Sequence, residues 1–270
     1  MTELVPSGTH VDPIAIRTAR GSLKVALARE FRTALSDRYD SLTKEQTVDS
    51  DDDSSSYKVD AASIGARKLR NVCLDYLCSI KGTASEEESA AALAESHYDA
   101  AKGMTDRVAA LAALVSNGKR SEKAASVRDA AVARFYDEAN GDALVLDKWF
   151  AIQAQADLPD ALERIKALRD HPEFSLVNPN RCRSLVGGFV SNASGFHASD
   201  GSGYAFVREV LTELDALNPQ ISGRLASSLI AWRKLDPNRS SKMRSELETL
   251  SKLDPISDDL FEIVTRGLKD

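Results

Sequence analysis

Apolar residues along this chain recur at spacings of three and four, not two, which is the period of helices that bury one face. Asp12-Pro13 opens the first such stretch: Asp12 suits an N-cap and Pro13 the first helical position. Ile16, Leu23, Leu27, Phe31 and Leu35 follow at helical spacing and predict a helix to about Tyr39. A second helix is predicted from Asp60 or Ser63, carrying Ile64, Leu69, Val72, Leu74, Leu77 and Ile80 to near Gly82. Ser85 with Glu88 fits a capping box for a third, through Ala101. Thr105 caps a fourth that stops at Asn117-Gly118, and a fifth spans about Ser121 to Asn140. Asp142 starts the helix holding Leu146, Trp149, Phe150 and Ile152, and Pro159 starts the next, through Arg169. Further helices are predicted at about 180–191, 204–217, 219–235, 237–253 and 257–268.

Connections of a few residues make consecutive helices antiparallel neighbours. About a dozen in series predict an all-α fold, a curved superhelix of armadillo or HEAT type. No exact repeat period is present, so the superhelix is expected to be irregular. One segment breaks the pattern. Residues 47–56, TVDSDDDSSS, are acidic and Ser-rich with Val48 as the sole apolar anchor, and are expected to form a mobile, exposed loop.

Composition agrees with this reading. Gly and Pro number only 14 and 8 in 270 residues, and aromatics are 6%, so breakers are few. The net charge of −6 argues against a broad nucleic-acid face. No apolar run approaches the ~18 residues of a membrane span, and MTELVPSGTH has neither a basic nor an apolar signal-peptide region. A cytoplasmic protein without nucleic-acid or membrane partners is the expectation. Cys73, Cys78 and Cys182 are odd in number and lie in helical patterns, which predicts buried thiols.

Candidate chemistry is sparse. His10, His97, His171 and His197 form no H-E-x-x-H helix and no i, i+4 pair. Asp200-Gly201-Ser202-Gly203 matches no phosphate-binding loop, and no G-x-S-x-G elbow is present. No catalytic residue and no metal ligand is assigned. The segment of most unusual composition runs from Asn178 to Arg233. It holds a turn and helix start at Asn178-Pro179-Asn180-Arg181, with Arg183 on that helix. A polar Gly-containing loop flanked by aromatics spans Phe196 to Tyr204, and Asn218-Pro219 starts a helix on which Gln220 and Arg224 share a face.

At these blocks the chain resembles a known family. DPIAI from Asp12, LRNVCLDYL from Leu69, Met104-Thr105-Asp106, LDKWFAIQA from Leu146, NPNRCRSLVGGF from Asn178, FHASDGSGYAF from Phe196 and NPQISGRL from Asn218 are similar to the C-terminal helical domain of bacterial-type aminopeptidase N enzymes, zinc metallopeptidases of the M1 family. The resemblance covers about residues 12–268 and implies one C-terminal domain, over 1–270, incomplete at its N-terminal side. It implies a non-catalytic cap that closes over the active site, since the family's zinc helix and its G-A-M-E-N segment have no counterpart here. Zinc is expected in the parent enzyme's catalytic domain and no cofactor in this chain, which should be inactive alone. The implied partners are that catalytic domain and peptides, with Arg183, Gln220 and Arg224 lining the cavity through which peptides pass. The alternative is a stand-alone α-solenoid interaction module that has lost the peptidase.

Overall fold

The computed structural model describes residues 10–48 and 59–269. All regular elements among them are helical, and Val11 and Leu235 form one isolated parallel bridge. No described helix is long and apolar enough to cross a membrane. The all-α architecture expected from the periodicity is what the chain adopts. It comprises two compact units, residues 19–142 and residues 143–269 with the segment before Ala19.

The helices start where their caps are. α1 (Pro13–Glu30) has Asp12 Oδ1 accepting the Ile14 and Ala15 amides at 2.9 and 3.1 Å. It does not run unbroken to Tyr39: Phe31 separates it from α2 (Arg32–Val48), although Phe31 N–Leu27 O and Leu35 N–Phe31 O, both 2.9 Å, carry the bonding across. Helix α2 takes up Thr47 and Val48 of the segment expected to be a loop; residues 49–56 lie outside the described residues. α3 (Ala61–Leu77) is capped by Asp60, which accepts the Ser63 amide, and stops five residues short of Gly82.

α4 (Ala84–Asp99) begins two residues earlier than Ser85 with Glu88 predict. The capping box is Thr83 with Glu86: Thr83 Oγ1 accepts the Glu86 amide, and Glu86 Oε2 accepts the Gly82 and Thr83 amides. α5 (Met104–Leu114) starts at Gly103 and not at Thr105, and α6 (Glu122–Ala139) runs from Ser121 as N-cap to left-handed Asn140 (φ 45°).

The first unit packs α2 on α3, α4 on α5, and α6 across α4 and α5. Its core holds Leu42, Leu74, Leu111, Leu114 and Phe135, each 2% exposed or less. Beside them lies a buried polar cluster. Arg70 NH2 meets Asp106 Oδ2 at 2.8 Å, and Asn71 Nδ2 donates to Asp106 Oδ1 at 3.0 Å. Tyr39 Oη lies 2.9 Å from His97 Nδ1, and His97 Nε2 faces the same carboxylate at 3.9 Å. A neutral imidazole fits both ends: Tyr39 O–H donates to Nδ1, and Nε2–H turns toward Asp106.

The second unit contains α7 (Ala143–Ala154), α8 (Ala161–Arg169) and α9 (Pro179–Cys182), which passes through a five-residue π-turn, Arg183–Gly187, into α10 (Gly188–Ser191). α11 (Ala193–Phe196), α12 (Ser202–Leu217) and α13 (Pro219–Ala226) follow. The helix expected over 219–235 breaks after Ala226 and resumes as a 3₁₀ turn, Ile230–Lys234. α14 (Pro237–Leu250) and α15 (Asp258–Leu268) end the chain. Phe189 sits edge-on to Phe196 and Phe206, and Tyr204 edge-on to Phe196, all four buried.

Gly203 lies where α12 crosses α11: a Cβ there would stand 2.5 Å from the carbonyl oxygens of Gly195 and Phe196. Backbone cannot yield as a flexible side chain can. Gly203→Ala is expected to cost about 2 kcal/mol, read as a lower urea midpoint at unchanged m-value; an unchanged midpoint would show that this crossing is loose.

Candidate functional site: an exposed cationic surface on α9 to α13

The NPNRCR block uses its two arginines differently. Asn178 Oδ1 accepts the Asn180 and Arg181 amides and starts α9 with Pro179 in the first turn. Arg181 then turns inward. Its Nε meets Asp147 Oδ1 at 2.7 Å, NH1 donates to the Glu173 carbonyl, and the guanidinium lies 5.0 Å from the Phe150 ring centre. Arg183, two residues on, opens the π-turn and is exposed. Single π-turns let one side chain leave the ordinary helical register.

Gln220 and Arg224 lie on α13, started by Asn218, whose Oδ1 accepts the Ile221 amide at 3.2 Å. The inner face of α13 is Ser222, Gly223 and Ala226, all buried. Small residues let it pack closely: Ser222 Oγ donates to Leu211 O on α12, and a Cβ at Gly223 would lie 3.0 Å from Asp259 O on α15. The outer face carries Gln220 and Arg224, both exposed and one helical turn apart. No hydrogen bond or ion pair engages Arg183, Gln220 or Arg224 among the described residues. The structure therefore pairs Gln220 with Arg224 on one face. Arg183 stands on another packing group, where α9 and its π-turn lie on α7.

The FHASDGSGY block is a structural latch. His197 Nδ1 lies 2.8 Å from Tyr204 Oη, Arg239 Nε donates to His197 O at 2.8 Å, and Arg239 NH1 pairs with Asp236 at 2.7 Å. Asp200 Oδ1 accepts the Ser202 amide and hydroxyl, while Gly201 takes the left-handed backbone (φ 82°) that favours glycine.

Burial, aided by the Arg239 charge, depresses the His197 pKa to about 4; burial, aided by Arg70, does the same for His97. Both imidazoles stay neutral in the fold, whereas an unfolded chain takes up protons below about pH 6.5. Their contribution is thus complete above that pH and is lost as pH falls toward 4, by up to about 1.4 kcal/mol per pH unit for each histidine. Chemical denaturation between pH 7 and 4.5 should show this decline, and the His97→Gln, His197→Gln double variant a shallower one; equal slopes would contradict it.

Among the described residues each histidine is engaged within the fold. His10 Nδ1 is 3.0 Å from Leu235 O, His171 Nδ1 accepts the Glu173 amide, and His97 and His197 bond to tyrosines. No three His, Cys, Asp or Glu side chains converge among the described residues. The cysteines are buried thiols, as expected, and burial pushes Cys78 up to about 12 and Cys182 to about 11.

An all-α chain of stacked helix pairs, its polar motifs spent on latching helices together, defines the class: an ARM-repeat superhelical domain. Residues 1–269 match the family described as a domain of unknown function (DUF3458_C), ARM repeats, and the chain belongs to that family, which is the C-terminal domain family of the M1 aminopeptidase N proteins. It is 38% identical over 259 residues to aminopeptidase N of Escherichia coli (strain K12), covering 96% of this chain and 27% of that protein. It is 35% identical over 268 residues to aminopeptidase N of Haemophilus influenzae, covering 99% and 28%. The solved structure of Legionella pneumophila aminopeptidase A in complex with aspartic acid superposes with a TM-score of 0.77 at 30% identity, covering 97% of this chain and 29% of that one. The chain thus spans less than three-tenths of the length of the relatives it matches.

Proposed function

We propose that this chain is the non-catalytic cap of an M1 zinc aminopeptidase, an enzyme that releases N-terminal residues from peptides, and that it closes over the active site and lines the peptide-access cavity. The observation that carries this reading is the similarity to aminopeptidase N over 96–99% of the chain, together with the exposed, unengaged Gln220 and Arg224 on one face of α13. A peptide entering by its N-terminus trails a carboxylate, which a guanidinium can hold with two parallel hydrogen bonds. A glutamine beside it can satisfy peptide N–H and C=O groups. Closure excludes water and strengthens both contacts. Arg183, rising from its π-turn, is assigned the same steering role.

In this reading the 270-residue chain alone turns over no aminoacyl amide and holds no stoichiometric zinc. The native polypeptide that carries it is roughly three to four times heavier than 29.3 kDa, contains zinc and hydrolyses alanyl amides. Immunopurification, followed by metal analysis and an amide assay, tests this. A native species of about 30 kDa, inactive and without a peptidase partner, would instead support a stand-alone interaction module.

A further inference from the structure

The sequence holds two Asn-Gly pairs, Asn117-Gly118 and Asn140-Gly141. An asparagine before glycine is able to react with its own main chain: the glycine amide nitrogen attacks the side-chain Cγ, and the missing Cβ leaves that approach open. Both pairs lie just after a helix, and both glycines are left-handed, at φ 85° and 78°. Their surroundings differ. Asn117 is wholly buried. Its amide donates to Leu114 O at 2.8 Å, and its carbonyl accepts Arg128 NH1 at 2.7 Å. A Cβ at Gly118 would stand 2.6 Å from Ala125 Cα, so α6 packs directly onto this turn. The main chain there cannot rotate, and water cannot enter, unless α6 lifts away.

Asn140 and Gly141 are both exposed, at the C-terminus of α6. Asn140 is the one non-glycine residue with positive φ among the described residues (φ 45°, ψ 41°), a conformation that costs energy outside glycine. The Asn140 amide donates to Asp137 O at 3.2 Å and the Asp142 amide to Ala139 O at 2.8 Å. Between them, the Gly141 amide engages no hydrogen bond among the described residues, and neither does the Asn140 side chain. Nothing lies within 4 Å of the place a Gly141 Cβ would take. Nucleophile, electrophile and room to rotate thus meet at one exposed helix end, the part of a helix that frays first.

We infer that Asn140 is a site of spontaneous deamidation. The Gly141 nitrogen bonds to Asn140 Cγ while the Cγ–Nδ2 bond breaks, and ammonia leaves with the proton of the Gly141 amide. Water then opens the cyclic imide at either carbonyl. Opening at Cγ leaves an aspartate at position 140; opening at the main-chain carbonyl leaves an isoaspartyl linkage running through Cβ and Cγ. One water enters, one ammonia leaves, and nothing is oxidised or reduced. Either product puts a carboxylate at the C-terminal end of α6, where the helix dipole disfavours it, three residues after Asp137 and two before Asp142. The isoaspartyl form also adds a methylene to the main chain at the left-handed cap. The modification therefore loosens the last turn of α6.

Trypsin places the two pairs in separate peptides, 108–119 and 135–148. The test is to age the 270-residue chain at about pH 8 and about 37 °C, folded and in urea, and to follow both peptides by mass spectrometry for the gain of about one mass unit. Relative to its own rate in urea, Asn140 is expected to slow by less than about tenfold on folding, and Asn117, which reacts only when its packing opens, by more than that. The Asn140→Gly variant keeps the left-handed cap without the reactive side chain. It is expected to lose the acidic form that ageing adds on isoelectric focusing, and amides 136–139 of the aged parent chain to exchange about tenfold faster than those of the variant aged alike. Slowing of Asn140 beyond about tenfold, or of Asn117 by less, overturns the inference, as does an acidic form undiminished in Asn140→Gly. Equal exchange in the two aged chains overturns the loosening of α6.

Discussion

Asp106→Ala is expected to destabilise the protein by about 3–5 kcal/mol, the largest effect of any single substitution considered. Arg70 is 4% exposed and Asp106 2%, so the substitution leaves a guanidinium buried without its counter-charge. Asn71 Nδ2 loses its acceptor as well, and His97 Nε2 loses the carboxylate it faces. Water cannot replace these partners without opening the packing of α3, α4 and α5. The cost belongs to the orphaned charge more than to the pair. Replacing both partners by apolar residues, Arg70→Met with Asp106→Leu, is therefore expected to recover most of the loss. Urea unfolding of the single and double variants measures both. A single-variant cost under about 1 kcal/mol would mean that Arg70 reaches water in the fold.

That cluster also marks where the sequence was legible and where it was not. Helix existence followed from periodicity and capping residues: Asp12, Asp60, Ser121 and Asn218 cap where they were expected to. Boundaries went astray where two capping solutions competed. Thr83-x-x-Glu86 prevailed over Ser85-x-x-Glu88 because Glu86 also accepts the Gly82 amide, satisfying one more orphan donor. The breaks at Phe31 and after Ala226 carry no Pro or Gly signal, so a continuous apolar pattern conceals them.

Arg70 lies between Arg67 and Cys73 on the buried face of α3, a position that a hydrophobicity pattern reads as an interruption. Only the position of Asp106, thirty-six residues away, explains it. In the same way the NPNRCR and FHASDGSGY blocks read as candidate chemistry. Buried Arg181 and Tyr204 and half-buried His197 prove to be latches, while Arg183 remains exposed. Periodicity reports which face is buried, and it cannot report which polar groups are buried with it.

The claim that this domain lines a peptide cavity is tested most directly by Arg224→Ala in the full-length enzyme that carries it, assayed on two substrates. One is an alanine amide, too short to reach α13 in the proposed arrangement; the other is an Ala-initiated tetrapeptide with a free carboxylate. A charge-assisted contact in a partly desolvated site is worth about 1.5–3 kcal/mol, or roughly ten- to a hundredfold in kcat/KM. The account predicts a loss of that size on the tetrapeptide and much less on the amide. It also predicts an unchanged melting temperature, since Arg224 is exposed and unengaged among the described residues. Equal losses on both substrates, no loss on either, or a fall in stability with unaltered length dependence would contradict it.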